Sequence, residues 1–301
     1  MQTVERLAAV RYTNEDRLAD ELPGTEVLFA WNARPAAIAM AWPKADALRW
    51  VHVAGGSVAK LPPAVAVTGD VVVTNSRGLF DEPIAEYVLG LVLAFAKDLP
   101  GRMRLQAGRT WRQRETERVT GKRALVAGTG SIGRAIGRKL ACAGMLITGI
   151  GRVGRASDPD LGQVLPFDRL TEALRQTDYL VLAAPLTDDT RGMVDARAFA
   201  AMSPTTRVIN VSRAGLIVQE DLVNALRGGQ IAGAALDVFP NERLDPASPL
   251  WELPQLLISP HMSGQVIGWR EELVELFADN LTRFIEGKAL RNAMNRPRSN
   301  G

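Results

Sequence analysis

A glycine fingerprint sits in the middle of this chain rather than at its start. Gly128-Thr129-Gly130-Ser131-Ile132-Gly133 follows Arg123-Ala124-Leu125-Val126-Ala127, a short β-type run, and opens a helical stretch over 134–143. Strand, glycine turn and helix in that order make a dinucleotide-binding unit. Glycine permits the tight turn and lets the backbone approach a pyrophosphate, while the helix N-terminus offers free N–H groups and the positive end of its dipole. Gly128, Gly130, Ser131, Ile132 and Gly133 are therefore the candidate phosphate-binding residues. Because 127 residues precede the motif, another folded region comes first, and it is expected to hold the substrate.

Composition narrows the class. At 301 residues, 47% hydrophobic and 23% charged, the chain reads as an ordinary soluble protein of two domains. A net charge of +3 is too small to imply a polyanion, so no nucleic-acid partner is expected. The single cysteine, Cys142, excludes an internal disulfide. Its neighbours Leu140, Ala141 and Ala143 suggest a buried, inert thiol. No apolar run approaches the ~20 residues of a membrane span, and no signal peptide is evident. The cytoplasm is the simplest location.

Before the fingerprint, strands are expected at 8–12, 27–30, 48–53, 65–67 and 71–73, with a helix over 14–22 capped by Thr13 or Asn14. An apolar helix follows over 83–96, then a linker at 97–101. The basic stretch 102–118, with Trp111, reads as a solvated or subunit-contacting arm. From 123 to 260 the β-α alternation is regular, with strands near 124–127, 146–150, 179–183, 208–211, 234–238 and 256–258. After Gly268 an amphipathic helix runs to about 286, with apolar residues at Leu273, Leu276, Phe277, Leu281 and Ile285. The fold class is α/β. A Rossmann-type doubly wound parallel sheet is expected over 99–264, with a second α/β substrate domain built from 1–98 and 265–301.

Three side chains stand just past the ends of successive predicted strands: Arg213, Glu242 and His261. Open α/β sheets bind ligands at such ends. Hydride exchange between a nicotinamide and a carbon requires that the oxygen on that carbon gain or lose a proton. Histidine can do both near neutral pH. A carboxylate beside it favours the imidazolium and fixes the ring. Arginine grips a carboxylate with two parallel bonds and polarises a neighbouring carbonyl. The trio reads as reversible reduction of a 2-keto acid. His52, in Trp50-Val51-His52-Val53, reads as a structural polar residue within a strand.

At these residues the chain resembles the D-isomer-specific 2-hydroxyacid dehydrogenase family. The landmarks are Asn75 with Ile84-Ala85-Glu86, the 128–133 fingerprint, Ala184-Pro185-Leu186-Thr187 with Thr190, and Asn210-Val211-Ser212-Arg213. Ala235-Leu236-Asp237-Val238-Phe239 with Glu242, Ser248-Pro249-Leu250-Trp251 and Ser259-Pro260-His261 complete the set. The resemblance implies that Arg213 binds the substrate carboxylate and keto oxygen, that Glu242 pairs with His261, and that His261 is the acid/base. It implies a flavodoxin-like substrate domain, with backbone amides near Gly55 and Gly56 receiving the substrate carboxylate. It places Asp237 at the nicotinamide carboxamide and extends the nucleotide site to Pro185, Thr190, Val211 and Gly264. A cleft between two domains and a homodimer are implied as well. Within this fold, formate or phosphite dehydrogenation is an alternative. A nucleotide-sensing corepressor-like scaffold is the alternative outside enzymology.

The second strand of the nucleotide unit ends Thr148-Gly149-Ile150-Gly151-Arg152. Enzymes that use NAD place a carboxylate at that end to bind the ribose hydroxyls. Here Gly151 takes that place, followed by Arg152 and Arg155. A missing anion with adjacent cations favours a 2′-phosphate, and so NADP(H) over NAD(H).

Overall fold

The computed structural model describes residues 1–31, 35–55, 61 and 71–294. The chain forms two compact units, Met1–Phe80 with Ile267–Gly301, and Asp81–Val266. Helix Asp81–Ala96, grouped by sequence with the first region, packs in the second unit against helix Ser131–Cys142.

In the first unit, β1 (Val27–Ala30), β2 (Trp50–Val53) and β3 (Val72–Asn75) form a parallel sheet in the order β1-β2-β3. Side chains alternate faces along a strand. Val51 and Val53 pack with Leu18, Leu22, Ile38 and Ala41. Trp50 packs with Val4, Phe277 and Leu281. Phe277, on the terminal helix Trp269–Ile285, stacks on Phe29 at 4.3 Å and on Trp50 at 5.0 Å. Both faces of the sheet are thus covered, as parallel strands require.

Two expectations here are corrected. Residues 8–12 form no strand. Arg11 instead bonds Pro23 O at 3.1 Å, and Tyr12 donates to Glu5 at 2.7 Å. The helix expected over 14–22 shrinks to Leu18–Glu21, although Asn14 Oδ1 does cap its approach by accepting Arg17 N–H at 3.1 Å. The run at 65–67 lies outside the described residues.

The second unit carries an eight-stranded sheet. Its strands are β4 (Arg123–Ala127), β5 (Leu146–Gly151), β6 (Arg155–Asp158), β7 (Gly162–Pro166), β8 (Tyr179–Leu182), β9 (Arg207–Asn210), β10 (Gly233–Leu236) and β11 (Leu256–Ile258). The order is β11-β10-β9-β8-β4-β5-β7-β6, and only β6 runs antiparallel. From β4 the chain winds outward through β5 to β7, then returns to β8 on the other side of β4. That reversal is the switch point at which doubly wound sheets bind ligands. The six expected strands are all present. The hairpin β6–β7 was not expected. β8 and β10 are buried along their whole length, and their apolar runs need no alternation because both faces are covered.

The expected linker at 97–101 is instead a helix start. Asp98 takes a left-handed φ of 47° and Pro100 sits in the first turn of helix Leu99–Ala107, where its missing N–H costs nothing. Cys142 is exposed, not buried. The buried face of helix Ser131–Cys142 carries Gly133, Ile136, Gly137 and Leu140, and Cys142 lies about 200° round the helix from Leu140.

Candidate active site

Strand register aligns the site. Ile150, Ala127, Leu182, Asn210, Leu236 and Ile258 are successive Cα partners across six strands. Every candidate loop of this unit leaves the sheet from that row. Gly151 and Arg152 follow the first strand in it, the glycine turn the second, Pro185 the third, Arg213 the fourth, Asp237 the fifth and His261 the sixth.

His261 Nδ1 lies 2.5 Å from Glu242 Oε1. Nε2 has no hydrogen-bond partner among the described residues, and both side chains are about half exposed. The histidine adopts a left-handed φ of 52°, a conformation that costs a non-glycine residue about 1 kcal/mol or more. Asp237 holds the loop in it. Its buried carboxylate accepts Ser259 Oγ–H at 2.7 Å and Met262 N–H at 2.9 Å on one oxygen, and Ser263 N–H at 3.0 Å on the other. Burial holds the adjacent Tyr87 phenol above its ordinary pKa, against the effect of its hydrogen bond with Ser259. The visible contacts of Asp237 are thus with the histidine loop, a role that sequence reasoning did not assign to it. Its partners lie 22 to 26 residues further along the chain, so no local sequence signal marks that role.

Arg213 is half-buried, and its Nη1 donates to Ser212 O at 2.7 Å. No hydrogen bond or ion pair joins it to Glu242 or His261. Asn210 shapes its turn, donating from Nδ2 to Arg213 O at 2.9 Å and accepting Ser212 N–H at 3.1 Å. Ser212 Oγ–H ties the turn to Ala184 O at 2.6 Å. Asn210 is thus a buried positioning residue that the sequence marked only as part of a motif.

The fingerprint has the form of a phosphate cradle. Gly128 has φ +115°, and a Cβ there would lie 2.5 Å from the Ala183 carbonyl carbon. A Cβ at Gly133 would lie 1.9 Å from Gly128 O, whereas one at Gly130 meets nothing within 4 Å. Gly128 therefore brings the turn against Ala183, just past β8, Gly133 packs on Gly128 within the turn, and Gly130 keeps an open approach. Helix Ser131–Cys142 has no side-chain cap, so its first N–H groups are left for a ligand. These residues fit a dinucleotide pyrophosphate. Ser131 Oγ–H is bonded to Asp81 at 3.1 Å, and Ile132 is half-buried.

Other nucleotide candidates are placed less uniformly. Pro185 is exposed, Val211 is buried and Gly264 is half-buried. Thr190 is buried, and its hydroxyl serves its own loop, donating to Pro185 O at 2.6 Å and accepting Thr187 N–H at 2.8 Å. Arg152 is exposed and pairs with no acid among the described residues. Arg155 lies 3.2 Å from Asp158, which Arg134 also grips at 2.7 Å. Burial pushes the Asp158 carboxyl up, but bonds from Arg134 and the Asp160 backbone, with the charge of Arg155, outweigh it and hold it below the usual range. In the first unit Gly55 is exposed, and Gly56 lies outside the described residues. The first unit also holds a cavity of about 1280 Å³ lined by Val10, Tyr12, Phe29 and Phe277, which contains none of the candidate residues.

No group of acids, histidines and cysteines among the described residues is arranged to hold a metal ion. No described helix is long and apolar enough to cross a membrane.

Comparison with known proteins finds relatives of one family. The family model for the D-isomer specific 2-hydroxyacid dehydrogenase NAD binding domain matches residues 89–263. A glyoxylate reductase of Thermococcus gammatolerans is 32% identical over 227 residues, 72% of this chain and 67% of that protein. Glyoxylate/hydroxypyruvate reductase A of Arabidopsis thaliana is 30% identical over 221 residues, 72% and 69% of the two chains. Among solved structures, a D-isomer specific 2-hydroxyacid dehydrogenase family protein from Aeromonas salmonicida superposes with a TM-score of 0.82 at 30% identity, over 98% of this chain and 95% of that one. A D-isomer specific 2-hydroxyacid dehydrogenase from Xanthobacter autotrophicus, solved with NADPH and MES, gives 0.75 at 27% identity, over 91% and 86%.

Proposed function

Because this chain belongs to the D-isomer specific 2-hydroxyacid dehydrogenase family, we propose that it reduces a small 2-keto acid of the glyoxylate or hydroxypyruvate kind, with NADPH preferred over NADH. The reading rests above all on the His261/Glu242 pair, in which Nδ1 is committed to a carboxylate and Nε2 is open. Gly128, Gly130 and Gly133 would hold the pyrophosphate of a nicotinamide dinucleotide, which when bound would supply the hydride for the substrate carbon. His261 Nε2 gives its proton to the keto oxygen as negative charge develops there, and takes it back in the reverse direction. Glu242 holds the ring in orientation through Nδ1. Arg213 binds the substrate carboxylate and polarises the carbonyl. Asp237 keeps the histidine loop in place.

The cofactor preference rests on Gly151, which leaves no carboxylate for the ribose hydroxyls, and on Arg152, an exposed cation beside it. The NADPH found in the Xanthobacter relative supports the same reading. The relatives named as glyoxylate and hydroxypyruvate reductases support the substrate class. A homodimer is part of the proposal, with the fully exposed Trp111 and the exposed Met103 as contact residues. The test is steady-state kinetics with glyoxylate and hydroxypyruvate under both cofactors. A clearly lower KM for NADPH than for NADH is expected, and equal values would remove the preference.

A further inference from the structure

Thr129, between the first two glycines of the fingerprint, has no part in the reading so far. Its side chain is half-buried and has no hydrogen-bond partner among the described residues. Gly151, at the end of β5, is buried, and its φ lies outside the left-handed region, so the backbone there does not demand glycine. What a side chain at 151 would meet is Thr129. An ideal Cβ at 151 lies 2.9 Å from Thr129 Cγ2, 3.3 Å from Oγ1 and 3.7 Å from Cβ. A carbon at 2.9 Å cannot be accommodated without movement, and β-branched threonine yields only by changing its χ1 rotamer. In a sheet of this topology the side chain at that strand end is the one that reaches the adenosine ribose. Thr129 therefore fills the volume into which a ribose-binding carboxylate would have to grow.

We propose that Thr129 is a specificity-determining residue of the nucleotide site. Seated against Gly151, its side chain closes the position from which an acid would select an unphosphorylated ribose, and leaves the 2′ side to Arg152. The inference rests on the nicotinamide-cofactor reading and deepens it, because positions 129 and 151 then act as one unit. An acid placed at 151 alone is held out of its seat by Thr129, and removing the threonine methyl and hydroxyl opens that seat.

Two double-mutant cycles test this. The first needs no ligand and compares the Tm of wild type, Gly151→Ala, Thr129→Ala and the double variant. Gly151→Ala is expected to lower Tm by about 2–4 °C, and the Thr129→Ala background to remove most of that loss. The second measures NADH and NADPH affinity by calorimetry for wild type, Gly151→Asp, Thr129→Ala and Thr129→Ala/Gly151→Asp. Gly151→Asp alone is expected to weaken NADPH by about tenfold or more and leave NADH within about threefold of wild type, whereas the double variant gains about tenfold for NADH. An equal NADH gain with and without Thr129 overturns the proposal. Should the Asp variants fail to fold, the melting cycle decides, and an equal Tm cost of Gly151→Ala in both backgrounds overturns it. A wild-type protein that binds neither nucleotide removes the cofactor reading itself, a result distinct from additivity in the cycles.

Discussion

The two histidines put one imidazole into opposite settings. His52 lies mid-strand in the first unit, fully buried. Its Nδ1 is bonded to Thr74 Oγ1 at 2.7 Å and its Nε2 to Ser76 Oγ at 3.1 Å, with the rings of Phe29, Trp50 and Phe277 around it. Burial lowers its pKa to about 4. His261 stands on the rim of the second unit's sheet, one nitrogen on a carboxylate and the other open. A ring with both nitrogens committed and no path to solvent holds a strand interior together. A ring with one nitrogen free can pass a proton to a ligand. Sheet interior and sheet rim, more than residue type, separate the two roles.

The sharpest attempt to break this contrast is His261→Ala. It is expected to lower turnover by ~10²–10⁴-fold while leaving NADPH affinity and Tm unchanged. Single-turnover kinetics beside calorimetry reads both, and near-wild-type turnover would mean that the base lies elsewhere. Arg213→Ala is next, with an expected loss of about 3 kcal/mol in kcat/KM, ~10²-fold. An unchanged kcat/KM would take Arg213 out of the site.

His52 predicts a stability effect instead. Burial puts its folded pKa at about 4, below the ordinary 6.5 of a histidine, so the unfolded state takes up the proton first. The contribution of the neutral buried ring is complete above about pH 6.5 and is lost as pH falls toward 4, by about 3 kcal/mol in all. Denaturant melts between pH 7.5 and 4 should show this loss, and His52→Asn should flatten it. A slope as steep in the variant as in wild type would assign the acid sensitivity to other groups. The smallest expected effect is that of Ser259→Ala, which removes one of the three bonds on the Asp237 carboxylate. A decrease in kcat of about fivefold, ~1 kcal/mol, with NADPH affinity unchanged, would mark Ser259 as a positioning residue. An unchanged kcat would confine it to a structural role.

The second unit was legible where burial writes itself into sequence. β8 and β10 are apolar without interruption because both faces are covered, and the glycine turn is required by contacts under 3 Å. The placement of Arg213, Glu242 and His261 beyond the ends of β9, β10 and β11 was legible by position. Other features carried weaker signals. The hairpin β6–β7 begins with Arg155-Ala156-Ser157-Asp158, of which three residues are exposed, so no hydrophobic period marks it. Residues 8–12 have strand composition but no strand partner, and pairing, not propensity, makes a strand. Helix phase put Cys142 on the outer face although its sequence neighbours are apolar. The expected linker at 97–101 holds a helix start because Pro100 sits in the first turn, where its missing N–H costs nothing. The roles of Asp237 and Asn210 in shaping loops depend on backbone N–H groups two to twenty-six residues away, which no local pattern announces.

The most direct test of the central claim is NADPH oxidation by the purified protein, followed by nicotinamide absorbance, with glyoxylate and hydroxypyruvate as substrates. Steady turnover in wild type, collapsing in His261→Ala at unchanged nucleotide affinity, is the predicted result. A wild-type protein that binds NADPH yet turns over neither acid nor any other small 2-keto acid would contradict it.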